Sequence, residues 1–306
     1  MEIITETQNI NLTYEPVYIQ VNATDTLHMM RIYTNPEGAP VLMMHGAVEN
    51  GRVFYNESGK GLAPYLARNG YDVYAADLRG RGGSYPHVNR NSSYGQTESI
   101  TQDIPAFMNK IIELRGNAAQ HWICHSWGGV LASAHLLRFP ENIANVKSLV
   151  YFGTKRRVSV KNWHRIIFID MVWRHIFTLA GKIYGFIPAK KFGAGIDDES
   201  RGSHSGCVFW VEEKKWIDPI DGFNYGKAAE HVTLPPALYF AADNDMSLGH
   251  KSDVQDFIDE SGKHKHKYIL LCKKNGNLHD YDHVSMITHK DAPDDHFPEV
   301  LAWISK

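Results

Sequence analysis

The chain has 306 residues, of which 43% are hydrophobic and 22% are charged, and its formal net charge is −2 at pH 7. This composition is ordinary for a globular protein with a sizeable core and is not that of a disordered chain. Near-neutral charge without a dominant basic face gives no long-range attraction to phosphate backbones, so we expect no nucleic-acid partner.

Residues 1–6 carry acidic side chains where a secretory signal peptide would carry basic ones, and no long apolar core follows them. No segment of the sequence is long and uncharged enough to predict a membrane span. The three cysteines are an odd number without paired spacing, which argues against a disulfide framework. We therefore expect a cytoplasmic protein without a transmembrane segment.

The N-terminal part predicts a hairpin, and the rest predicts alternating strands and helices. Residues 16–34 alternate apolar and polar side chains around a turn-like segment at 22–25, which is typical of an antiparallel hairpin. Short apolar runs separated by helix-like stretches then indicate crossover units around a mostly parallel sheet buried on both faces. The predicted strands cover residues 41–44, 71–76, 122–124, 148–152, 237–241 and 268–271, and the predicted helices cover 61–69, 100–115, 127–139 and 297–304.

A long insertion interrupts this alternation. Between the strand that ends near Phe152 and the one that begins near Ala237 lie roughly eighty residues, far more than a loop needs. We therefore predict an α/β core formed by residues 1–154 and 236–306, with a helical cap formed by residues 155–235.

The cap is predicted to begin with an amphipathic helix and to be rich in aromatic side chains. Residues 163–187 place apolar and polar side chains on separate helical faces, and the helix is expected to break near Gly181 or Gly185. An apolar pocket gains most of its affinity from apolar area, so aromatic side chains here suit an apolar substrate. The candidate substrate contacts are Trp163, Trp173 and Trp210, although each could instead only pack the cap onto the sheet. The sequence leaves open whether the helix lines a pocket, makes peripheral contact with a membrane surface or forms a dimer contact.

The segment HWICHSWGG at residues 121–129 predicts a buried strand that breaks at Ser126 and restarts as a helix. In the general elbow Gly-x-Ser-x-Gly, small flanking residues let strand and helix approach closely while the hydroxyl stands above the sheet edge. Gly128 keeps the last position of that motif, and the small Cys124 replaces the first glycine. The alternative is a strand-to-helix turn in which the serine only caps the helix.

A nucleophilic serine needs an imidazole to take its proton and a carboxylate to orient that imidazole, and in this topology the order is serine, acid, histidine. Asp245 is the candidate acid rather than Asp243, because it lies beyond the end of the strand, on the loop. His283 is the candidate base rather than His279, because the apolar stretch that follows His283 can fix its ring.

Acyl transfer also needs hydrogen-bond donors for the developing oxyanion. The candidates are the backbone N–H groups of Trp127 and Ala47, with Gly46 letting the backbone come close.

Residues 279–283 also hold a cluster of aspartates and histidines, but without a matching ligand group elsewhere we expect neither a metal nor an organic cofactor.

These residues together resemble the α/β-hydrolase superfamily, and the resemblance covers nearly the whole chain. The segments 45–46 and 77–84, the elbow at Ser126, and the late Asp245 and His283 follow in the family's order. The resemblance implies the α/β-hydrolase fold with a Ser126–His283–Asp245 triad and an acyl-enzyme intermediate.

Three functions remain open at this stage. Residues 70–73 and 281–283 resemble acid-lipase-like and monoacylglycerol-lipase-like esterases, which implies a small-molecule ester substrate with an apolar acyl group. Residues 77–87 and 126–128 also resemble proline iminopeptidases, in which case residues 197–199 could bind the substrate amine, although a solvated loop is the simpler expectation for them. The third is a non-catalytic ligand-binding member of the fold. Dehalogenases and many epoxide hydrolases resemble the same scaffold but carry aspartate at the elbow, so Ser126 disfavours those two activities. The oligomeric state is not indicated.

Overall fold

The structure is a computed structural model that describes residues 11–306, so residues 1–6, on which the signal-peptide expectation rests, lie outside the described residues. The strands are β1 (Thr13–Gln20), β2 (Thr26–Tyr33), β3 (Pro40–Met44), β4 (Asp72–Asp77), β5 (Gln120–His125), β6 (Val146–Phe152), β7 (Phe186–Ile187), β8 (Glu199–Ser200), β9 (Ala237–Ala242) and β10 (His266–Leu271). Eight of them form one sheet in the order β1-β2-β4-β3-β5-β6-β9-β10. The pairs β1–β2 and β2–β4 are antiparallel and the other pairs are parallel, which confirms the predicted sheet and hairpin.

Helices cover both faces of this sheet. The α-helices are α1 (Leu62–Arg68), α2 (Gln96–Glu98), α3 (Ile104–Arg115), α4 (Trp127–Arg138), α5 (Thr178–Tyr184), α6 (Arg201–Glu212), α7 (Tyr225–Ala229), α8 (Lys251–Glu260), α9 (Ser285–Thr288), α10 (Ala292–Asp295) and α11 (Phe297–Ile304). Shorter 3-10 turns lie at Gly51–Val53, Pro140–Asn145 and Lys273–Asn275, and π-helical turns at Ser99–Asp103 and Arg165–Phe177.

Two apolar layers pack against the sheet, one on each face. Trp122 and Cys124 of β5 join the layer beneath α3, α4 and α8, whereas Ile123 joins the layer beneath α1 and α11. Because successive side chains of a strand point to opposite faces, a sheet covered on both sides needs continuous apolar runs. This is why the parallel strands were visible in the sequence as unbroken hydrophobic segments.

The residues between β6 and β9 add no strand to the main sheet. They contain a helix over residues 165–184, the small β7–β8 ribbon, α6 and α7. The helix passes through the buried Gly181 and ends at Gly185, whose φ of 85° only glycine adopts without strain. Its first part is wound with π-helical geometry, which the 3.6-residue period of the sequence did not indicate.

Arg156 ties this inserted region to the sheet-bearing part of the chain. Its guanidinium is fully buried, forms an ion pair with Glu260 at the end of α8, and donates hydrogen bonds to the carbonyl oxygens of Trp210 (2.7 Å) and Glu213 (2.8 Å). A buried charge is stable only when its counter-charge and its hydrogen bonds are all present. Arg156 therefore links the C-terminal end of α6 to the end of α8.

Replacing Arg156 with Met should lower the free energy of unfolding by about 3 kcal/mol, because Glu260 and the carbonyl oxygens of Trp210, Glu213 and Lys214 would lose their donor. Chemical denaturation measures the change. Arg174→Met is the matched control, because it breaks an exposed ion pair with Glu212 that contributes less than about 1 kcal/mol. Equal losses in the two variants would contradict the anchoring role of Arg156.

Candidate active site

Ser126 stands on a sharp turn between β5 and α4. Its φ of 50° and ψ of −122° are rare for a residue with a side chain, and such strain persists only where surrounding contacts hold it. A Cβ added to Gly128 would lie 2.5 Å from the carbonyl oxygen of His45, and one added to Gly46 would lie 2.9 Å from the Cβ of Ser126. The elbow therefore needs glycine at both of these positions, whereas Cys124 fits fully buried inside β5.

The structure brings together Ser126, His283 and Asp245, the three residues selected from the sequence. Ser126 Oγ lies 2.8 Å from His283 Nε2, and His283 Nδ1 lies 2.6 Å from Asp245 Oδ2. A carboxylate can only accept, so Nδ1 carries the proton and Nε2 is left to accept the hydroxyl proton of Ser126. The alternatives lie elsewhere: Asp243 pairs with Lys251, and His279 with Asp291.

Asp245 is held in its ionised form. Burial alone would raise its pKa, but the charge of His283 and the hydrogen bond from its ring outweigh burial and lower the pKa below its usual value. The second carboxylate oxygen accepts from the backbone N–H of Leu248 at 2.9 Å. Both oxygens are thus engaged, and the carboxylate can orient the imidazole and stabilise it when it becomes charged.

A buried ion pair that the sequence analysis missed lies beneath this triad. Glu49 Oε2 accepts hydrogen bonds from the backbone N–H of Gly46 and from His125 Nδ1, each at 2.7 Å. His125 Nε2 donates to the carbonyl oxygen of His283 at 2.9 Å. The pair thereby joins the loop after β3, the strand before Ser126 and the loop that carries His283.

The electrostatics of this pair favour two charged groups. Burial would raise the pKa of Glu49, but the charge and hydrogen bond of His125 lower it to about 2. Burial would lower the pKa of His125, but Glu49 raises it above its usual value. His125 therefore has a structural role, while Glu49 carried no sequence signal because its partner lies 76 residues away.

The two predicted oxyanion donors flank Ser126. In the described part of the chain, the backbone N–H groups of Ala47 and Trp127 have no hydrogen-bond acceptor. The N–H groups on either side of Ala47 are occupied, since Gly46 donates to Glu49 and Val48 donates to Glu199. The loop thus leaves one backbone donor available beside the serine.

A cavity of about 430 Å³ opens above Ser126 and His283, and most of its wall is apolar. Trp173 lines it, but the other two tryptophans predicted to do so do not. Trp210 is fully buried and packs against the far side of Trp127, with ring centroids 6.1 Å apart, while Trp163 is 61% exposed on the outer surface. The amphipathic pattern could not separate a side chain that faces the cavity from one that packs beneath it.

The acidic segment at residues 197–199 neither lines the cavity nor forms a solvated loop. Glu199 is buried in an ion pair with Arg81, and Asp197 accepts hydrogen bonds from the N–H of Gly82 (2.6 Å) and from Asn50 (3.1 Å). Its acidic side chains therefore fasten the inserted region to the loops after β3 and β4. They are not available to an amine in the cavity.

The aspartates and histidines at residues 279–283 do not form one set of metal ligands. His283 faces Ser126, whereas His279 lies with His289 and Asp291 in a group whose donor atoms are within 4.8 Å of one another.

Among residues 11–306 no helix is both long enough and apolar enough to cross a membrane.

Comparison with known proteins identifies the fold. The family description of the α/β hydrolase fold matches residues 39–177. The solved 2-hydroxy-6-oxo-6-phenylhexa-2,4-dienoate hydrolase of Rhodococcus aligns with 97% of this chain and 100% of its own, at a TM-score of 0.63 and 15% identity. The chain has the α/β-hydrolase fold.

Two curated relatives are similar to part of this chain. Lipase member K of Homo sapiens is 28% identical over 151 residues, which are 44% of this chain and 37% of the relative. A probable lysophospholipase L2 of Haemophilus influenzae is 22% identical over 190 residues, which are 62% of this chain and 56% of the relative. The chain thus spans less than two thirds of the length of either relative.

Replacing Glu49 with Gln should lower the free energy of unfolding on the order of 3 kcal/mol near neutral pH, since the Glu49 pKa is about 2 against an ordinary 4.5. A lowered carboxyl pKa stabilises the fold above the ordinary value, and that contribution is lost as the pH falls towards the lowered one. The deficit should therefore shrink between about pH 4.5 and about pH 2 in urea titrations. The matched control is Glu57→Gln, at a side chain that is 83% exposed. A deficit that is independent of pH would contradict the ion pair.

Proposed function

We propose that this protein is a serine hydrolase that cleaves a carboxylic ester with an apolar acyl group. The observation that carries the proposal is the hydrogen bond from Ser126 Oγ to His283 Nε2 at the base of an apolar cavity. The names of the two curated relatives, a lipase and a probable lysophospholipase, support an ester substrate. In this proposal residues 155–235 act as the cap over the core formed by residues 1–154 and 236–306.

The first half of the reaction forms an acyl-enzyme. Ser126 Oγ attacks the ester carbonyl carbon while His283 Nε2 takes the hydroxyl proton, and Asp245 stabilises the resulting imidazolium. The oxyanion of the tetrahedral intermediate accepts hydrogen bonds from the N–H groups of Ala47 and Trp127. The bond to the leaving oxygen then breaks, and His283 protonates the departing alcohol.

The second half releases the acid. A water molecule gives a proton to His283 and attacks the acyl carbon, and a second tetrahedral intermediate uses the same two N–H donors. The bond from the acyl carbon to Ser126 Oγ breaks, and Oγ recovers its proton from His283. Both halves of the reaction use the same side chains and backbone donors, and water supplies the second nucleophile.

An aminopeptidase on the same fold is less well supported. Such an enzyme needs a carboxylate that is free to bind the substrate amine, but Asp197 and Glu199 are engaged outside the cavity. Glu49 does line the cavity, yet it is already paired with His125. Assays on proline amides alongside esters would reveal this activity if it exists.

Replacing Ser126 with Ala should reduce turnover of p-nitrophenyl butyrate at least about a thousandfold without unfolding the protein, because the nucleophile is lost. It should also abolish labelling by a fluorophosphonate probe. Ser205→Ala, at an exposed position on α6, is the control and should keep both properties. Full ester hydrolysis by the Ser126 variant would refute the proposal.

The choice of base is tested separately. His283→Ala should lower kcat on the same ester by a similar factor, because no other imidazole contacts Ser126 in the described structure. His279→Ala should retain most of the activity, since that ring bonds to Asp291 away from the serine. The reverse result would move the base to His279.

A further inference from the structure

An unpaired cation lines the cavity that holds Ser126. Lys155 follows β6 by three residues, is only 7% exposed, and contributes to the cavity wall together with Trp127 and Cys207. Its Nζ lies 5.9 Å from the centroid of the Trp127 ring. Within residues 11–306 the Lys155 ammonium forms no hydrogen bond and has no carboxylate within 4 Å.

A lysine side chain is seldom this little exposed without a partner. The Lys155 nitrogen is not among the fully enclosed polar atoms that lack a partner, so it can be reached from the cavity. The Lys155 charge acts on two carboxyl groups: it contributes to the lowered pKa of Asp245, and it partly offsets the burial that raises the pKa of Asp253. Asp245 is bonded to His283, and Asp253 Oδ1 accepts from the N–H (2.8 Å) and hydroxyl (2.6 Å) of Ser159. Both carboxylates are thus engaged by other groups and lie more than 4 Å from the Lys155 ammonium. Among residues 11–306, its three N–H donors have no acceptor.

The other ionisable groups of the cavity do not neutralise Lys155. Glu49 is matched by His125, and burial raises the pKa of the Cys207 thiol to about 12, so that this group stays neutral. His283 offers no negative charge, and both of its ring nitrogens are already hydrogen-bonded, one to Ser126 and one to Asp245. A ligand in this cavity therefore meets apolar walls and one ammonium group with free donors.

We propose that Lys155 binds an oxyanion carried by the substrate, so that the enzyme prefers esters with an anionic group over neutral esters of the same size. The apolar wall would hold the hydrocarbon part of the substrate and Lys155 its charged end, while Ser126 attacks the ester carbonyl. Dicarboxylic half-esters place the anion in the acyl part, and lysophospholipid-like esters place it in the alcohol part. The inference rests on the proposed ester hydrolysis and specifies its substrate class.

The first test compares substrates that share the same ester and hydrocarbon part and differ in whether they carry an anionic group. Mono-p-nitrophenyl glutarate against p-nitrophenyl valerate tests an anion in the acyl part, and lauroyl lysophosphatidic acid against monolaurin tests one in the alcohol part. In at least one pair the wild type should prefer the anionic ester in kcat/KM, and Lys155→Met should reduce that preference tenfold or more, the scale of a lost charge-assisted hydrogen bond (on the order of tenfold to a hundredfold). The ratio within a pair cancels any general effect of the substitution on Asp245 or on folding.

Two further variants sharpen the result. Lys155→Arg keeps the charge and should retain part of the preference, whereas Lys161→Met, at an exposed position on the same segment, should leave it unchanged. The pair in which the preference depends on Lys155 identifies the side of the ester that carries the anion. A preference that survives Lys155→Met in both pairs, or no preference in the wild type, overturns the proposal.

A binding measurement separates this inference from the proposed chemistry. In the Ser126→Ala protein, calorimetry should show tighter binding of mono-p-nitrophenyl glutarate or lauroyl lysophosphatidic acid than of its neutral partner, and the difference should disappear when Lys155→Met is added. If the wild type hydrolyses no ester but this difference is seen, ester hydrolysis fails and the anion site stands. If esters are hydrolysed but neither pair shows a Lys155-dependent difference, the anion site fails alone.

Discussion

The close approach of α4 to the loop after β3 is the constraint on which the site depends. Gly128 lies against the backbone of that loop, and Gly46 lies against Ser126, so neither position has room for a side chain. Backbone packing at this distance holds Ser126 at its positive φ and keeps its hydroxyl out of the sheet. The same contact brings the loop that carries Ala47 next to Ser126, so Ala47, Ser126 and Trp127 line one cavity.

Buried ion pairs then position the loops around the site and the inserted region, which apolar packing alone would not hold in one place. Loops and an inserted region carry fewer apolar contacts than the sheet, and they need specific polar contacts to keep one position. Glu49 and His125 secure the loop of His283, Arg81 and Glu199 secure the inserted region near β4, and Arg156 secures α6. Each pair joins segments that lie far apart in sequence, which explains why a change at one of them should be felt at the cavity.

The sequence predicted the framework well, because its signals are local. Continuous apolar runs located the strands, and the order of Ser126, Asp245 and His283 along the chain selected residues that the structure places in contact. Glu49 and Lys155 gave no such signal, since the contacts that define them are made only after the chain folds. Trp210 was selected from the sequence but does not line the cavity. Aromatic content indicated an apolar region, yet it could not distinguish the wall of the cavity from the core behind it.

The position of Lys155 raises the question of whether an anion beside it would disturb the triad. Lys155 contributes to the lowered pKa of Asp245, but the charge and hydrogen bond of His283 contribute more. A bound oxyanion would offset the smaller influence and leave the larger one in place, so Asp245 stays ionised and His283 keeps its tautomer. The backbone N–H donors to the oxyanion are neutral and keep their hydrogen-bonding capacity beside a second negative charge. Recognition of a charged substrate and attack by Ser126 are therefore compatible within one cavity.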